Sequence, residues 1–279
     1  MKRFKQLSVA ALILGSIFFL EGYRENRELD KSYITLQTTK FKQPNTSIKV
    51  AHLSDTQFPR LRVPMNTLIN SLINEKPDII LFTGDTIDRT EQLDTTKLPY
   101  FLKQITKIAP TFIVSGNHET THPEYNEWLQ IIQNSSAHYL ENSVESIKIK
   151  GEEINIVGLS NDSISLPEKE QLKIEPSEET LVLAHHPEKM AHYQDLLKDT
   201  SFTTFSGHAH GGQIILPIVG GLLSPDQGFF PEYTDGLYHF GNNQLIVSRG
   251  LANSSFPTRI NNYPHLIFTT ITNQKETPA

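Results

Sequence analysis

Three uninterrupted apolar runs, separated by helical repeats, set the strongest constraint on what this chain can become. They are Ser47–Ser54 (SIKVAHLS), Asp78–Thr83 (DIILFT) and Thr111–Ser115 (TFIVS). Between them Met65, Leu68, Ile69, Leu72 and Ile73 recur at helical spacing until Pro77, and Leu98–Ile108 repeats the pattern. Continuous apolar runs of this length fit strands buried on both faces, and the βαβαβ order implies a mostly parallel sheet covered by helices. The second half changes character. Ile147–Ile149, Ile154–Leu159, Thr180–Ala184, Phe202–Ser206, Gln213–Leu216, Leu237–Phe240, Gln244–Ser248 and Leu266–Ile271 read as short strands with turns between them. Strands dominate both halves, so one domain on two packed sheets fits better than two separate domains. A chain of 279 residues can bury a large core without covalent staples.

The residues just past the strands carry the chemistry. The first run ends in Ser54-Asp55-Thr56-Gln57, the second in Gly84-Asp85-Thr86-Ile87-Asp88, and the third in Gly116-Asn117-His118-Glu119. The run LVLA ends in His185-His186-Pro187, and FTTFS ends in Gly207-His208-Ala209-His210-Gly211-Gly212. Ligands of open α/β sheets bind at the carboxyl ends of strands. Asp, Asn, Gln and His are the side chains that hold hard and borderline divalent metals. Taken singly, each has a structural explanation: Asp as a turn or cap residue, Asn117 as a left-handed turn residue, His185 or His186 as a core histidine. Gly-His-Ala-His-Gly-Gly is harder to dismiss, because two imidazoles two residues apart face the same way on extended chain. Five such strand ends in one chain point to a metal centre. His52, His122, His138, His192, His239 and His265 lack such company and read as surface or packing residues.

Composition narrows the remaining classes. With no Cys, a disulfide scaffold, a thiolate metal site and a Cys nucleophile are excluded. The net charge of −6 argues against nucleic acid as a partner.

The N-terminus reads as a membrane address. Lys2, Arg3 and Lys5 precede the apolar run Leu7–Leu20, which Glu21 ends. No small-residue cleavage site follows, so residues 1–24 read as an uncleaved signal anchor, with a cleaved export signal and a buried N-terminal helix as the alternatives. The cationic flank would stay in the cytoplasm and the rest of the chain outside the cell membrane, or secreted if the signal is cleaved. Beyond residue 24 the chain has 21 basic and 30 acidic residues, so its surface charge would not hold it to an anionic membrane. The polar residues 25–46 read as a stalk, 47–272 as the folded domain and 273–279 as a tail.

The order Asp-x-(His), Gly-Asp-x-x-Asp, Gly-Asn-His-Glu, His-x-Pro and Gly-His-x-His resembles that of the calcineurin-like metallophosphoesterases. Gly211, Gly212 and Gln213 after the last motif are similar to the membrane-anchored bacterial branch. The resemblance runs from about Ile48 to Ile271. It implies a four-layer α/β/β/α sandwich of two mixed sheets and phosphoester hydrolysis by a hydroxide activated between two divalent ions, manganese, iron or zinc. It further implies that Asp55, Asp85 and His210 hold one ion, and that Asp85 bridges to a second held by Asn117, His185 and His208. His118 would be catalytic rather than a ligand, with Asp88 orienting it. The departure is Gln57, where the family usually has His. Either its amide oxygen ligates the first ion more weakly, or that position is partly empty. The first is preferred because the other ligands are present.

The substrate is less legible. Residues 217–235 should form a loop beside the metals, whose Ile218, Val219, Leu222, Leu223, Phe229 and Phe230 either pack onto the sandwich or form an apolar lip. Arg249 and Arg259 follow a strand and either reach a phosphate or form surface ion pairs. Lipid-linked phosphates suit the expected location. A phosphodiesterase or pyrophosphatase specialised for a nucleotide-linked or lipid-linked substrate is the alternative enzyme. A metal-binding surface scaffold with a decayed site is the non-enzyme alternative, and Gln57 is the feature that favours it.

Overall fold

The structure is a computed structural model, and it describes residues 15–16, 19–253 and 258–274. The expected signal anchor lies mostly outside the described residues. Among those described, no helix is long and apolar enough to cross a membrane.

The first sheet is built from β1 (Asp30–Gln37), β2 (Ser47–Leu53), β3 (Ile79–Thr83), β4 (Thr111–Val114), β5 (His138–Tyr139) and the last strand of the chain. The second uses β6 (Ser143–Ile149), β7 (Glu152–Gly158), β8 (Glu179–Leu183) and β9 (Thr203–Ser206) with two later strands. After β9 come two small ribbons, β10 (Ile215–Leu216) with β11 (Gly220–Gly221) and β12 (Leu223–Ser224) with β13 (Gly228–Phe229). Strands β14 (Gly236–Phe240), β15 (Asn243–Val247) and β16 (His265–Thr272) complete the count. The orders are β1-β16-β2-β3-β4-β5 and β14-β15-β9-β8-β7-β6. In the first sheet β2, β3 and β4 run parallel while β16 runs antiparallel to β2. In the second β7, β8 and β9 run parallel and β6 antiparallel to β7. Both sheets are therefore mixed.

Alternation along the strands makes the layers, because successive side chains leave opposite faces. Ile48, Val50, Ile79, Leu81, Phe112 and Val114 point inward and meet Ile154, Ile156, Leu181, Leu183 and Phe205 of the other sheet. Ala51, Leu53, Ile80, Phe82 and Ile113 point outward. They pack on α1 (Met65–Glu75), α2 (Lys97–Ile105) and, two elements on, α4 (Tyr125–Gln133), which follows the short α3 (Asn117–Thr120). On the far side Val157, Val182, Leu245 and Val247 pack on α6 (Met190–Leu196), with the single turn α5 (Glu168–Gln171) at the edge. The result is the expected α/β/β/α sandwich.

The stalk expected over 25–46 is corrected. Residues 30–37 form strand β1, paired parallel with β16 from Asp30↔His265 to Gln37↔Thr272. Glu25, Asn26, Leu36 and Phe41 are buried. An edge strand with one face in water alternates polar and apolar residues, so DKSYITLQ looks hydrophilic in sequence while Ile34 and Leu36 pack against the inter-sheet core.

Candidate metal centre

The five motif loops follow β2, β3, β4, β8 and β9, all at carboxyl ends, and meet where the two sheets abut. His185 Nδ1 lies 2.7 Å from the Thr83 carbonyl, joining the end of β8 to the end of β3. The Gly207 N–H donates to the His185 carbonyl at 3.1 Å. Only glycine fits at 207, because a Cβ there would collide with Ser54 Oγ and Asp55 Oδ2.

The backbone is bent to aim these side chains. Asp55, Gln57, Asp85, His208 and His210 all have positive φ, between 42° and 66°. Each such non-glycine residue costs about 1–3 kcal/mol, and strain of this kind collects at functional sites. Buried polar contacts hold the bends. The Glu119 carboxylate, itself fully buried, accepts the N–H groups of Gly116 (2.7 Å), Asp85 (2.9 Å) and Ile87 (3.1 Å), together with the N–H and hydroxyl of Thr86. It thus ties the β3 loop to the first turn of α3. Asp85 Oδ1 accepts the His118 N–H at 2.9 Å.

Two donor groups share Asp85. In the first, carboxylate oxygens of Asp55 and Asp85 and a ring nitrogen of His210 lie within 4.8 Å of one another. His210 Nε2 is 3.3 Å from Asp55 Oδ1, and Gln57 Nε2 is 3.3 Å from His210 Nε2. Gln57 Oε1 is buried with no hydrogen-bond partner, so this amide has an oxygen to give. In the second, Asn117 Oδ1 lies 3.1 Å from His185 Nε2 and 3.0 Å from His208 Nδ1, and His185 Nε2 is 3.3 Å from Asp85 Oδ2.

Electrostatics fit the same use. Burial, with the charge of Asp85 nearby, pushes the Asp55 carboxyl up to about 7. Burial would also raise Asp85, but His185 and His118 more than offset it and hold that carboxyl below its ordinary range. Burial pushes His210 down to about 3 and His208 well down, leaving neutral imidazoles, the ligand form. Burial would lower His185 too, but Asp85 and Asp55 more than offset it and raise it to about 10, so that imidazole must shed a proton to take an ion. A divalent cation is what lets two buried carboxylates carry charge side by side. The donors present therefore fit a pair of such ions.

His118 stands beside this cluster. Its Nε2 is 3.8 Å from Asp85 Oδ2, and its Nδ1 accepts the Arg89 N–H at 3.1 Å. Asp88 does not hydrogen-bond the ring, since its Oδ2 stays 3.6 Å from Nδ1. Its Oδ1 instead accepts the N–H and hydroxyl of Thr90 (2.8 and 2.7 Å), and Oδ2 faces Arg60 Nη1 at 3.2 Å. Asp88 thus stands beside His118 without a hydrogen bond to it, and braces the turn that presents the Arg89 amide.

A cavity of about 190 Å³ opens over His118, Asn117, His208 and His210, and Arg60 and Arg89 are among its lining residues. Neither arginine was singled out from the sequence. Arg249 and Arg259, which were, point elsewhere. Arg249 pairs with Asp235 and Asp30 (2.7 and 2.5 Å), and the buried Arg259 is spent on the Arg249 and Ala252 carbonyls and the side chains of Asn253 and Asn262. Sequence reasoning also missed Glu119, although it sits inside Gly-Asn-His-Glu, and Asp226, whose Oδ2 lies 2.9 Å from His208 Nε2. Nothing near Asp226 in sequence signals that contact. His186 stays outside the centre. It stacks on His208 with ring centroids 4.2 Å apart and bonds Glu188 and Asn161, both at 2.8 Å.

A sandwich whose paired strand ends gather two acids, an amide and imidazoles beside a free-standing histidine is the apparatus of a metal-dependent phosphoester hydrolase. Residues 48–212 match the sequence profile of the calcineurin-like phosphoesterases, and the chain belongs to that family. It is 26% identical over 279 residues to an uncharacterized metallophosphoesterase, YkuE, of Bacillus subtilis, covering 95% of this chain and 94% of that one. It is 26% identical over 275 residues to the phosphodiesterase YaeI of Escherichia coli, with 95% and 96% covered. Identity is 25% over 285 residues to the UDP-2,3-diacylglucosamine pyrophosphatase LpxG of Chlamydia trachomatis, with 82% of each chain covered. Among solved structures, the sulfate thiohydrolase SoxB of Thermus thermophilus shares the fold at a TM-score of 0.50 and 11% identity, over 84% of this chain and 58% of that one.

Proposed function

We propose that the chain cleaves a phosphodiester or pyrophosphate linkage of a lipid-linked substrate at the outer face of the cell membrane. Asp55, Gln57, Asp85 and His210 would hold one divalent ion, and Asp85, Asn117, His185 and His208 the other. When bound, the two ions neutralise the charge of the phosphoester and acidify the water that attacks phosphorus. The protein does the rest. The Arg89 amide occupies His118 Nδ1, so the neutral imidazole carries its proton on Nε2, which faces the cavity. From there Nε2–H donates a hydrogen bond to the leaving oxygen as its bond to phosphorus breaks, and that oxygen takes its proton from water. Asp88 and Arg60 keep the 88–90 turn in place, and Glu119 keeps Asp85 and Asn117 in register. No phosphoenzyme is needed.

The observation that carries this reading is the convergence on Asp85 of two donor sets with His118 alongside. The substrate class is supported by two relatives, a phosphodiesterase and a pyrophosphatase of a diacylated sugar nucleotide. The location is supported by the cationic flank and apolar run of residues 1–24. The test is a panel of p-nitrophenyl phosphate, bis(p-nitrophenyl) phosphate and a UDP-linked diacylated sugar, each with manganese, iron or zinc. Release from the diester and the nucleotide in preference to the monoester is expected. Release from the monoester alone contradicts the substrate class, and release from none with any metal contradicts the hydrolase reading.

A further inference from the structure

The chain leaves the last site motif as the two ribbons β10–β11 and β12–β13, and these are rooted on the metal centre. Leu222 N–H donates to the Gly212 carbonyl at 3.1 Å, and Gly221 packs against Gly212. Pro225 lines the site cavity, and Asp226 reaches His208. Away from these roots the ribbons turn large apolar side chains to solvent. Ile218 is fully exposed, Phe229 71% and Phe230 62%, with Val219 and Leu223 also exposed. From Gly211 to Pro231 the one charged residue is Asp226, whose carboxylate is turned to His208 at 2.9 Å. Of the two expectations for this segment, packing onto the sandwich fails for these tips.

A second strip of chain runs beside the root of the first ribbon. Ile215 N–H donates to the Ile260 carbonyl at 3.0 Å, and Asn261 Nδ2 to the Ile215 carbonyl at 3.2 Å. The other flank of that strip holds helical residues 19–25. A Cβ at Gly22 would lie within 3.1 Å of Thr258, Arg259 and Ile260, and Arg259 N–H donates to Asn26 Oδ1 at 3.1 Å. Those helical residues end the apolar run Leu7–Leu20, and Phe19, Leu20 and Tyr23 are exposed there. The root of the first ribbon and the junction with the N-terminal apolar run thus share one strip, residues 258–262, whose Asn262 Nδ2 also donates to the His210 carbonyl of the site at 2.8 Å.

We propose that this face seats on a lipid bilayer, with Ile218, Val219, Phe229 and Phe230 entering the acyl boundary beside the mouth. Apolar tips gain by leaving water, and several exposed large apolar side chains on ribbons rooted at the site are what a bilayer interface fits. The cavity then opens toward phosphoesters held at headgroup depth. The substrate part of this proposal rests on the hydrolase reading above; the seating itself does not.

The full-length chain is reconstituted into phosphatidylcholine vesicles with brominated acyl chains, as wild type and as Phe230→Trp. Trp128 is the sole native tryptophan and is buried, so it supplies the background. The added tryptophan should shift to the blue and lose at least half its emission to the brominated lipid. If it stays open to aqueous acrylamide and blind to the bromine, or is protected only by self-association without lipid, the seating is wrong. In a second arm Ile218, Val219, Phe229 and Phe230 are all changed to Ser. Turnover of a phosphatidyl p-nitrophenyl ester in vesicles should fall at least 10-fold, with bis(p-nitrophenyl) phosphate unaffected. Equal loss on both, or loss on neither, overturns the proposal. A wild type inactive on both sinks the hydrolase reading instead, and the fluorescence then decides the seating alone.

Discussion

The Arg89 amide donates to His118 Nδ1 across 3.1 Å, and that bond fixes which ring nitrogen carries the proton. A neutral imidazole has one donor and one acceptor. With Nδ1 engaged as acceptor, Nε2–H is left facing the cavity, 3.8 Å from Asp85 Oδ2.

His118→Ala should therefore lower kcat by about 10²–10³, the usual loss of one donor to a developing oxyanion. Metal content by elemental analysis should not change. Loss of an ion with the histidine would make His118 a ligand instead.

Asp88 acts on the same histidine at one remove. Asp88→Ala frees the Thr90 N–H and hydroxyl and leaves Arg60 without its buried carboxylate. The His118 ring should then lose its fixed tautomer. The expected readout is a lower kcat with a displaced pH profile, at unchanged metal content. A shift in KM alone would contradict this role.

Gln57 offers a buried, unpartnered amide oxygen to the first donor group. Replacing an amide oxygen by an imidazole favours softer metals, so Gln57→His should raise zinc affinity relative to manganese in competition titrations. Gln57→Ala should weaken one ion and spare the other. Equal weakening of both would place Gln57 outside the first group.

Asp226 holds His208 from behind. A carboxylate on the outer nitrogen of a metal-binding imidazole fixes its orientation, and losing it typically costs about 10–100-fold in affinity or activity. Asp226→Asn should weaken the second ion by that factor in calorimetric titration, while Gln57-dependent binding is unchanged.

Acid stability depends on His52, which packs edge-on against Phe205 with Nε2 2.8 Å from Thr83 Oγ1. Burial pushes it down to about 3. Its unfolded form takes up a proton near pH 6.5, so the unfolded state binds more protons between roughly pH 6.5 and 3. The stabilisation from keeping it neutral is complete above that window and is lost as pH falls through it, by at most about 1.4 kcal/mol per pH unit. His52→Gln should flatten the pH dependence of the urea midpoint over that window. An unchanged slope would show that other groups set the acid limb.

The cluster of donor side chains was legible because each of its members directly follows a buried strand, and buried strands announce themselves as apolar runs. Asp55, Asp85, Asn117, His185, His208 and His210 all lie where the order of runs places them. Strand β1 was not legible, since its edge position leaves one face in water and its polar alternation imitates a linker. Glu119 was hidden for a different reason. Its work is to accept amides from a loop some thirty residues away, and no local pattern records that. Asp226, Arg60 and Arg89 meet the site only through tertiary folding, and Arg249 and Arg259 misled because a basic residue after a strand can equally serve backbone carbonyls.

The most direct test of the shared centre is elemental analysis of the wild type and Asp85→Asn after loading with manganese and removal of excess. Asp85 belongs to both donor groups, so the wild type should hold two ions per chain and the variant should lose both. A variant that keeps one ion at full occupancy, or a wild type that binds none, would contradict a centre built around Asp85.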